Sequence, residues 1–163
     1  MMTSLSCDVI KTLAGKTLVT AESCTGGGIG AALTAVPGSS EVYKGGIISY
    51  TNWVKENFLS VDPEMLQNNG PVSAPVAKAM AKGVRSALQA DIAVSVTGLA
   101  GPGGDDFGNP VGTVYIGYSD CNRTESLACY FTGSREEIRQ QAVSAALKIV
   151  LDFNSKGENY VFA

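Results

Sequence analysis

The chain contains no histidine among its 163 residues, and this absence excludes the commonest hydrolase active sites. Serine and cysteine hydrolases usually rely on histidine to accept the proton of the nucleophile. Zinc sites also use histidine widely, and the four cysteines form no CxxC pair that would replace it. We therefore expect cysteines that are reduced and structural, as is usual in the cytoplasm. Metal binding through aspartate and glutamate alone stays open, although the sequence has no clustered Dx[DN]x[DN]G loop.

Long apolar runs, a leader sequence and an excess of positive charge are missing as well. No segment approaches the length of a membrane span, and the N-terminus lacks the basic and apolar regions of a signal peptide. The net charge of −3 argues against a broad surface for nucleic acid. We expect a single cytoplasmic domain, residues 1–163, that binds neither membrane nor nucleic acid. Its tail, 154–163, is expected either to be flexible or to dock on a neighbouring copy through Tyr160 and Phe162.

Along the chain, segments whose apolar residues have helical spacing alternate with segments that are typical of strands. Predicted helices cover about 4–13, 28–35, 53–59, 63–68, 75–90 and 135–153, and Ser134 is expected to cap the last of them. Predicted strands cover 17–21, 46–50, 91–97, 110–118 and 124–131, of which the last two form a hairpin through 119–123. Helices that alternate with strands predict an α/β fold, a three-layer α/β/α sandwich around a mixed, mostly parallel sheet.

Two glycine-rich loops, 23–28 and 98–104, each follow a predicted strand. A third strand ends at Tyr50. Sites in sheets of this kind form at the carboxyl ends of the parallel strands. The sequence therefore predicts that these three strand ends converge on one site.

Two nucleotide-binding patterns are matched only loosely. Residues 14–17 resemble the end of a phosphate-binding loop, but position 10 is isoleucine instead of the leading glycine, and the segment precedes a strand. Residues 26–31 fit a loose dinucleotide-binding pattern, but the next strand ends in Ser49, Tyr50 and Thr51 without the acidic residue that binds ribose. Both functions are therefore disfavoured.

Ser23 stands where a strand turns into a helix, and it has two interpretations. Serine is favoured as a helix cap, and the local pattern alone favours this interpretation. Free amides at such a turn also suit a nucleophile or an anion. Cys24 could be the nucleophile instead, although an activated cysteine usually needs a cation nearby.

Several cations near this region also have two interpretations. On a helix, Asn52 and Lys55 would share a face. The local pattern favours a solvated charge for Lys55, and the alternative is a base whose pKa burial lowers from about 10.4 towards 7. Arg135 and Arg139 oppose the helix dipole in the first turns of the last helix. They form either a salt-bridged face with Glu136 and Glu137 or an anion site.

Six sequence blocks taken together resemble a known family. In order they are 21–27 (AESCTGG), 49–52 (SYTN) followed by Lys55, 70–73 (GPVS), 97–104 (TGLAGPGG), 110–114 (PVGTV) and 131–135 (FTGSR). Through them residues 5–153 resemble the C-terminal domain of the competence/damage-inducible CinA family, in its stand-alone form. The resemblance implies deamidation of nicotinamide mononucleotide to nicotinate mononucleotide and ammonia, in pyridine-nucleotide salvage, without a metal or a cofactor.

The resemblance also implies residue roles. Ser23 matches the nucleophile, Lys55 the general base, and Tyr50 a residue that assists proton transfer. Arg135, with Arg139 as second choice, matches an arginine that binds substrate. The other residues expected to bind substrate are Thr25, Gly26, Gly27, Asn52, Thr97, Gly98 and Gly101, with the oxyanion on the amides of 25–27 and the phosphate near Arg135 or the 98–104 loop.

Two further points follow from the family. A homodimer or a higher homo-oligomer is expected. Some members lack demonstrated deamidase activity, so a catalytically silent nucleotide-binding protein with a competence- or damage-related role is an alternative, as is an amidase for a different small carboxamide.

Overall fold

The computed structural model describes residues 2–155, which form six α-helices and five β-strands. The helices are α1 (Met2–Thr12), α2 (Gly28–Thr34), α3 (Asn52–Leu59), α4 (Pro63–Asn69), α5 (Ala74–Ala87) and α6 (Arg135–Asn154). The strands are β1 (Leu18–Glu22), β2 (Tyr43–Ile48), β3 (Ile92–Gly98), β4 (Thr113–Ser119) and β5 (Thr124–Tyr130), and a short 3-10 turn covers Ser39–Glu41.

The strands form one mixed sheet in the order β2-β1-β3-β4-β5. β1 pairs in parallel with β2 and with β3, whereas β4 runs antiparallel to both of its neighbours. Four strands therefore point in one direction and only β4 is reversed. The predicted α/β fold with a mixed sheet is confirmed, and so is the hairpin of β4 and β5.

Helices cover both faces of the sheet, and alternate residues of the central strand β1 enter two separate cores. Leu18 packs in a core with residues of α1, α2 and α6. Val19 packs in the other core, with residues of α4 and α5 and with Leu59 of α3. The side chains of β1 and nearly all of β3 are buried, as expected for strands covered on both faces.

Three predicted boundaries need correction. β2 covers Tyr43–Ile48, so Tyr50 lies two residues beyond the end of this strand. α2 begins at Gly28, after the left-handed Gly27 (φ 100°), so Ser23 is not its cap. α5 ends at Ala87, short of the predicted residue 90, and Gln89 has a left-handed φ of 50°. Asn154 belongs to α6, where its amide donates to Tyr118 Oη at 3.0 Å, and the rest of the expected tail, 156–163, lies outside the described residues.

None of the helices within residues 2–155 is both long and apolar enough to cross a membrane.

Candidate active site

The carboxyl ends of β1, β2 and β3 meet at a cleft of about 310 Å³, as the two glycine-rich loops predicted. Tyr50 and α3 supply one wall, and the segment that follows β3 supplies another. The cleft is lined by Ser23, Cys24, Tyr50, Asn52, Lys55, Pro71, Val72, Thr97, Gly98, Leu99, Ala100, Gly101, Gly103 and Arg135.

Ser23 and Lys55 are in direct contact inside this cleft. Lys55 Nζ donates to Ser23 Oγ at 3.1 Å and to the Ser49 carbonyl at 2.7 Å. The lysine is only 1% exposed, so its interpretation as a solvated surface charge is wrong. The pair has the geometry of a nucleophile beside its base.

Burial also changes the protonation of this lysine. Loss of solvent lowers the pKa of Lys55 from 10.5 to about 8. No carboxylate within residues 2–155 forms an ion pair with it that would counter this effect. Neutral Lys55, which can accept a proton, is therefore accessible close to physiological pH.

Cys24 lines the same cleft but is a poor candidate for the nucleophile. Burial raises the pKa of its thiol from 9.0 to about 11, and the nearby charges of Arg139 and Lys55 offset this only in part. A cysteine nucleophile requires the thiolate. The serine is therefore the better nucleophile of the two.

Local structure explains how Lys55 reaches Ser23. Thr51 caps α3 by accepting from the Val54 amide at 3.4 Å, so the helix begins at Asn52. Asn52 and Lys55 then lie one turn apart and both line the cleft, as their spacing predicted. The Ser49 amide donates to the Glu22 carbonyl at 2.8 Å, which places the acceptor of Lys55 beside the residue that precedes Ser23.

The backbone amides of the turn that carries Ser23 differ in whether they have a hydrogen-bond acceptor. The Ser23 amide donates to the Val96 carbonyl at 2.9 Å, and the Gly26 amide donates to the Ser23 carbonyl at 3.1 Å. The amides of Thr25 and Gly27 have no acceptor among residues 2–155. The expected oxyanion donors of this turn are therefore reduced to those two, because the Gly26 amide is already engaged.

The side chain of Thr25 does not line the cleft, and neither Gly26 nor Gly27 does so. Thr25 is buried, and its hydroxyl has no hydrogen-bond partner within the described part of the chain. The structure thus places these three residues outside the cleft lining, and their expected contacts with substrate stay a prediction.

The two candidate arginines have different partners. Arg135 lines the cleft, where Nη1 donates to the Gly101 carbonyl at 2.6 Å and Nη2 donates to Tyr50 Oη at 3.3 Å. Arg139 lies outside the cleft lining and donates to the carbonyls of Cys24 and Thr25, at 3.0 and 3.2 Å. Arg139 therefore holds the Ser23 turn through its carbonyls, and its expected contact with substrate stays a prediction.

The salt-bridged interpretation of this helix face is wrong, because neither arginine pairs with a carboxylate within residues 2–155. Glu137 instead forms a capping box with Ser134, which confirms the predicted cap. Arg135 also donates to the Gly101 carbonyl, so the two expected positions for a phosphate, the arginine and the 98–104 loop, lie next to each other.

Tyr50 reaches the cleft, but its hydroxyl lies against Arg135 and not against the Ser23–Lys55 pair. Its side chain is 60% exposed at the mouth of the cleft. Within the described residues, the hydroxyl forms no hydrogen bond with either atom of the pair.

The expected residues at the end of β3 form the opposite wall. Thr97 Oγ1 donates to the Pro71 carbonyl at 2.7 Å and so fixes the 70–72 segment beside the cleft. Gly98 allows close approach of β4, because a Cβ there would lie 2.6 Å from Val114 Cγ2. Gly101 presents the carbonyl that holds Arg135.

Glu22 was missed by the sequence analysis, although it stands inside the block that carries Ser23. Its carboxylate is 2% exposed and accepts from the amides of Ile29 and Gly30, at 2.8 and 3.1 Å. The signal in the sequence was an acidic residue at the end of an otherwise apolar strand. No cluster of three or more potential metal ligands occurs within residues 2–155.

Comparison with known sequences agrees with the motifs. The sequence profile of the CinA C-terminal domain matches residues 3–153. A CinA-like protein of Cyanothece sp. is 50% identical over 134 residues, which make up 81% of this chain and 32% of that protein. A CinA-like protein of Parasynechococcus marenigrum is 49% identical over 135 residues, with shares of 82% and 32%. The chain thus spans about a third of the length of these curated relatives.

Solved structures are similar over almost the whole chain. The competence/damage-inducible protein CihA of Agrobacterium tumefaciens has a TM-score of 0.90 at 38% identity, over 94% of this chain and 96% of that one. A competence-damaged protein (CinA) superfamily protein of Escherichia coli has a TM-score of 0.92 at 32% identity, over 94% of this chain and 90% of that one.

Proposed function

This chain belongs to the CinA C-terminal domain family, and on that premise we propose that it is an amidohydrolase that converts nicotinamide mononucleotide into nicotinate mononucleotide and ammonia. The observation that carries the proposal is the 3.1 Å contact between Ser23 Oγ and Lys55 Nζ. The lysine is buried, and its pKa is lowered to about 8, so it can act as the base that histidine provides elsewhere.

The first half of the proposed reaction forms an acyl-enzyme. Neutral Lys55 accepts the Ser23 proton while Oγ attacks the carboxamide carbon. The negative charge that develops on the carboxamide oxygen is met by the amides of Thr25 and Gly27, and one such donor contributes about 3–4 kcal/mol to the transition state. Protonated Lys55 then gives its proton to the leaving nitrogen, the C–N bond breaks, and ammonia departs.

The second half regenerates the enzyme. Lys55, again neutral, accepts a proton from water, which attacks the acyl carbon. Ser23 leaves as the ester bond breaks and regains a proton from Lys55, and nicotinate mononucleotide is released. The same base thus serves both halves.

The proposed role of Arg135 is to bind the substrate phosphate at the mouth of the cleft. Its present partners, the Gly101 carbonyl and the Tyr50 hydroxyl, are neutral. A phosphate is a stronger partner for a guanidinium because the hydrogen bonds are charge-assisted on both sides. Tyr50, once released from Arg135, is proposed to assist proton transfer to the leaving nitrogen.

Release of ammonia from nicotinamide mononucleotide by the purified protein tests this proposal. We expect turnover that a chelator does not reduce and that Ser23→Ala abolishes. Full activity of Ser23→Ala would exclude the covalent route. Binding of the mononucleotide without release of ammonia would support the silent nucleotide-binding alternative, and turnover of other small carboxamides in its place would support an amidase of different specificity.

A further inference from the structure

A buried carboxylate without a part in the reaction above lies directly before the nucleophile. Glu22 ends β1 and is 2% exposed. We propose that Glu22 is a positioning residue, which ties the N-terminus of α2 to the end of β1 and thereby fixes the turn that carries Ser23. This inference rests on the proposed role of Ser23 as the nucleophile.

The contacts of Glu22 replace a helix cap. The first amides of a helix have no acceptor within the helix, and the cap position of α2 is Gly27, which has no side chain to offer. Glu22 Oε1 accepts from the Ile29 amide at 2.8 Å, and Oε2 accepts from the Gly30 amide at 3.1 Å. The acceptor for these two amides of α2 is thus a side chain of β1, on the other side of the turn that carries Ser23.

These contacts close the turn at both ends. At its start, the Ser23 amide is held by the Val96 carbonyl of β3. In its middle, Arg139 holds the carbonyls of Cys24 and Thr25. At its end, the Gly28 amide donates to the Thr25 carbonyl at 3.0 Å within the turn, and the Glu22 carboxylate ties the next two amides of α2 back to β1. Without Glu22, the turn loses the side-chain hydrogen bonds that hold its far end against the sheet.

The surroundings of Glu22 suit a fixed carboxylate. Thr20 Oγ1 lies 3.4 Å from Oε2 and 2.8 Å from Tyr43 Oη. A Cβ at Gly30 would lie 2.7 Å from Tyr43 Oη, and one at Gly46 would lie 2.2 Å from Thr20 Oγ1, so the cluster is closely packed. No cation within residues 2–155 pairs with the carboxylate, whose negative charge is stabilised by amides at a helix N-terminus.

A positioning role and a merely structural role predict different kinetics. A structural residue would lower stability and leave the chemistry of the folded fraction unchanged. A positioning residue acts on the geometry of attack, where small displacements are costly, so that kcat falls while KM changes little.

Glu22→Gln tests this with almost no change of shape. The variant keeps one oxygen but places an amide NH2 against an amide N–H, so one bond to α2 is lost. We expect kcat to fall by at least about tenfold with KM within about threefold. We also expect faster hydrogen exchange of the amides in 23–30, and an acid limb of the pH profile that stays near the pKa of Lys55. Glu22→Asp, which retains the charge on a shorter side chain, should have an intermediate kcat.

The matched control is Ser95→Ala. Ser95 Oγ is buried and donates to the Ala77 carbonyl at 2.6 Å, away from the cleft. This variant should lower the melting temperature but retain wild-type kcat and wild-type exchange in 23–30. A wild-type kcat in Glu22→Gln would overturn the inference, and so would a loss of kcat that Ser95→Ala reproduces at equal melting temperature.

Failure of the proposed function is recognised separately, because the wild type would then release no ammonia from nicotinamide mononucleotide, or Ser23→Ala would be as active as the wild type. In that case hydrogen exchange and a crystal structure of Glu22→Gln decide the inference. An unchanged exchange rate in 23–30 and an unchanged distance from Ser23 Oγ to Lys55 Nζ would overturn it, whereas faster exchange and a longer distance would support it.

Discussion

Among the single residues, Lys55 combines function with a cost in stability. Its ammonium group is buried and donates to one hydroxyl and one carbonyl, which are both neutral. An ammonium can donate three hydrogen bonds, and burial without a counter-charge disfavours its protonated form. The same desolvation that creates the base therefore weakens the folded state wherever the lysine is charged.

The pH dependence of activity follows from this lysine. Because only neutral Lys55 can accept the Ser23 proton, kcat/KM should rise with pH and level off above the pKa of about 8. At pH 7, roughly a tenth of the molecules would carry the neutral lysine. A profile of kcat/KM from about pH 6 to about pH 9.5 measures this. A flat profile across this range would contradict the assignment of Lys55 as the base.

Replacement of Lys55 should stabilise the protein while it abolishes activity. The fall of the pKa from 10.5 to about 8 corresponds to a cost of about 3 kcal/mol for the charged form. The unfolded chain keeps the proton up to its own higher pKa, so wild-type stability rises with pH between these two values. Lys55→Met removes this cost but loses two hydrogen bonds. We therefore expect the free energy of unfolding to rise by about 1–2 kcal/mol at pH 6.

Urea unfolding of Lys55→Met and wild type at about pH 6 and about pH 10 measures this difference. The advantage of the variant should shrink or reverse at the higher pH, where the native lysine is neutral. Lys16→Met, which replaces an exposed lysine, is the matched control and should show no such pH dependence. An equal advantage at both pH values would show that desolvation of Lys55 is not its origin.

For single residues, the sequence predicts contacts that depend on the number of residues between two side chains. It does not predict contacts that depend on how helices and strands pack in the fold. The shared face of Asn52 and Lys55 follows from a separation of three residues. The burial of Lys55 depends on how α3 rests on α5, where a Cβ at Gly83 would lie 1.9 Å from the Leu59 carbonyl. No local pattern near residue 55 carries that information.

At the scale of elements, α6 contributes to the site with two arginines one turn apart. Arg135 reaches across the cleft to Gly101, whereas Arg139 reaches under it to the Ser23 turn. The roles of the two arginines could not be distinguished from the sequence, because both lie in the first turns of the same helix. The two partners come from loops that are distant along the chain, and only the folded structure distinguishes them.

Substitution of each arginine should therefore affect a different quantity. Arg135→Met removes the proposed phosphate ligand, and charge-assisted hydrogen bonds contribute about 1.5–3 kcal/mol, so KM should rise about tenfold to a hundredfold. Arg139→Met removes two bonds to the Ser23 turn, so the melting temperature and kcat should fall with a smaller change of KM. Steady-state kinetics and thermal unfolding of both variants measure this contrast.

A substrate without the phosphate provides the control for Arg135. Nicotinamide riboside has the same carboxamide and no phosphate, so Arg135→Met should change its kcat/KM only slightly. Equal losses with the mononucleotide and the riboside would show that Arg135 does not bind the phosphate.

The start of α2 illustrates a second limit of prediction at this scale. A serine before a glycine-rich helical pattern is typical of a cap, but the left-handed Gly26 and Gly27 delay the helix to Gly28. The acceptor that replaces the cap is Glu22, several residues away on a strand. The alternation of helices and strands was predictable because it needs only local periodicity, whereas this contact is tertiary.

Across the whole molecule, the parallel part of the sheet and α6 together build the cleft. Three strand ends bring Ser23, Tyr50 and Thr97 together, and the first residue of α6 closes the site with Arg135. The other end of α6 is fixed to the hairpin strand β4 through Asn154 and Tyr118. The fold class was predictable from the sequence because alternating elements permit few layered arrangements.

Residues 156–163 should be dispensable for catalysis, because every contact that the proposed mechanism uses lies between Glu22 and Arg139. A chain that ends after Ser155 retains all of α6, including the Asn154 contact. We expect its kcat and KM for nicotinamide mononucleotide to stay within about twofold of the longer chain, a change below about 0.5 kcal/mol. Ser23→Ala in the shortened chain should abolish turnover. A loss of kcat at an unchanged melting temperature would show instead that the removed residues take part in the site, and that the cleft between β1, β2, β3 and α6 is incomplete without them.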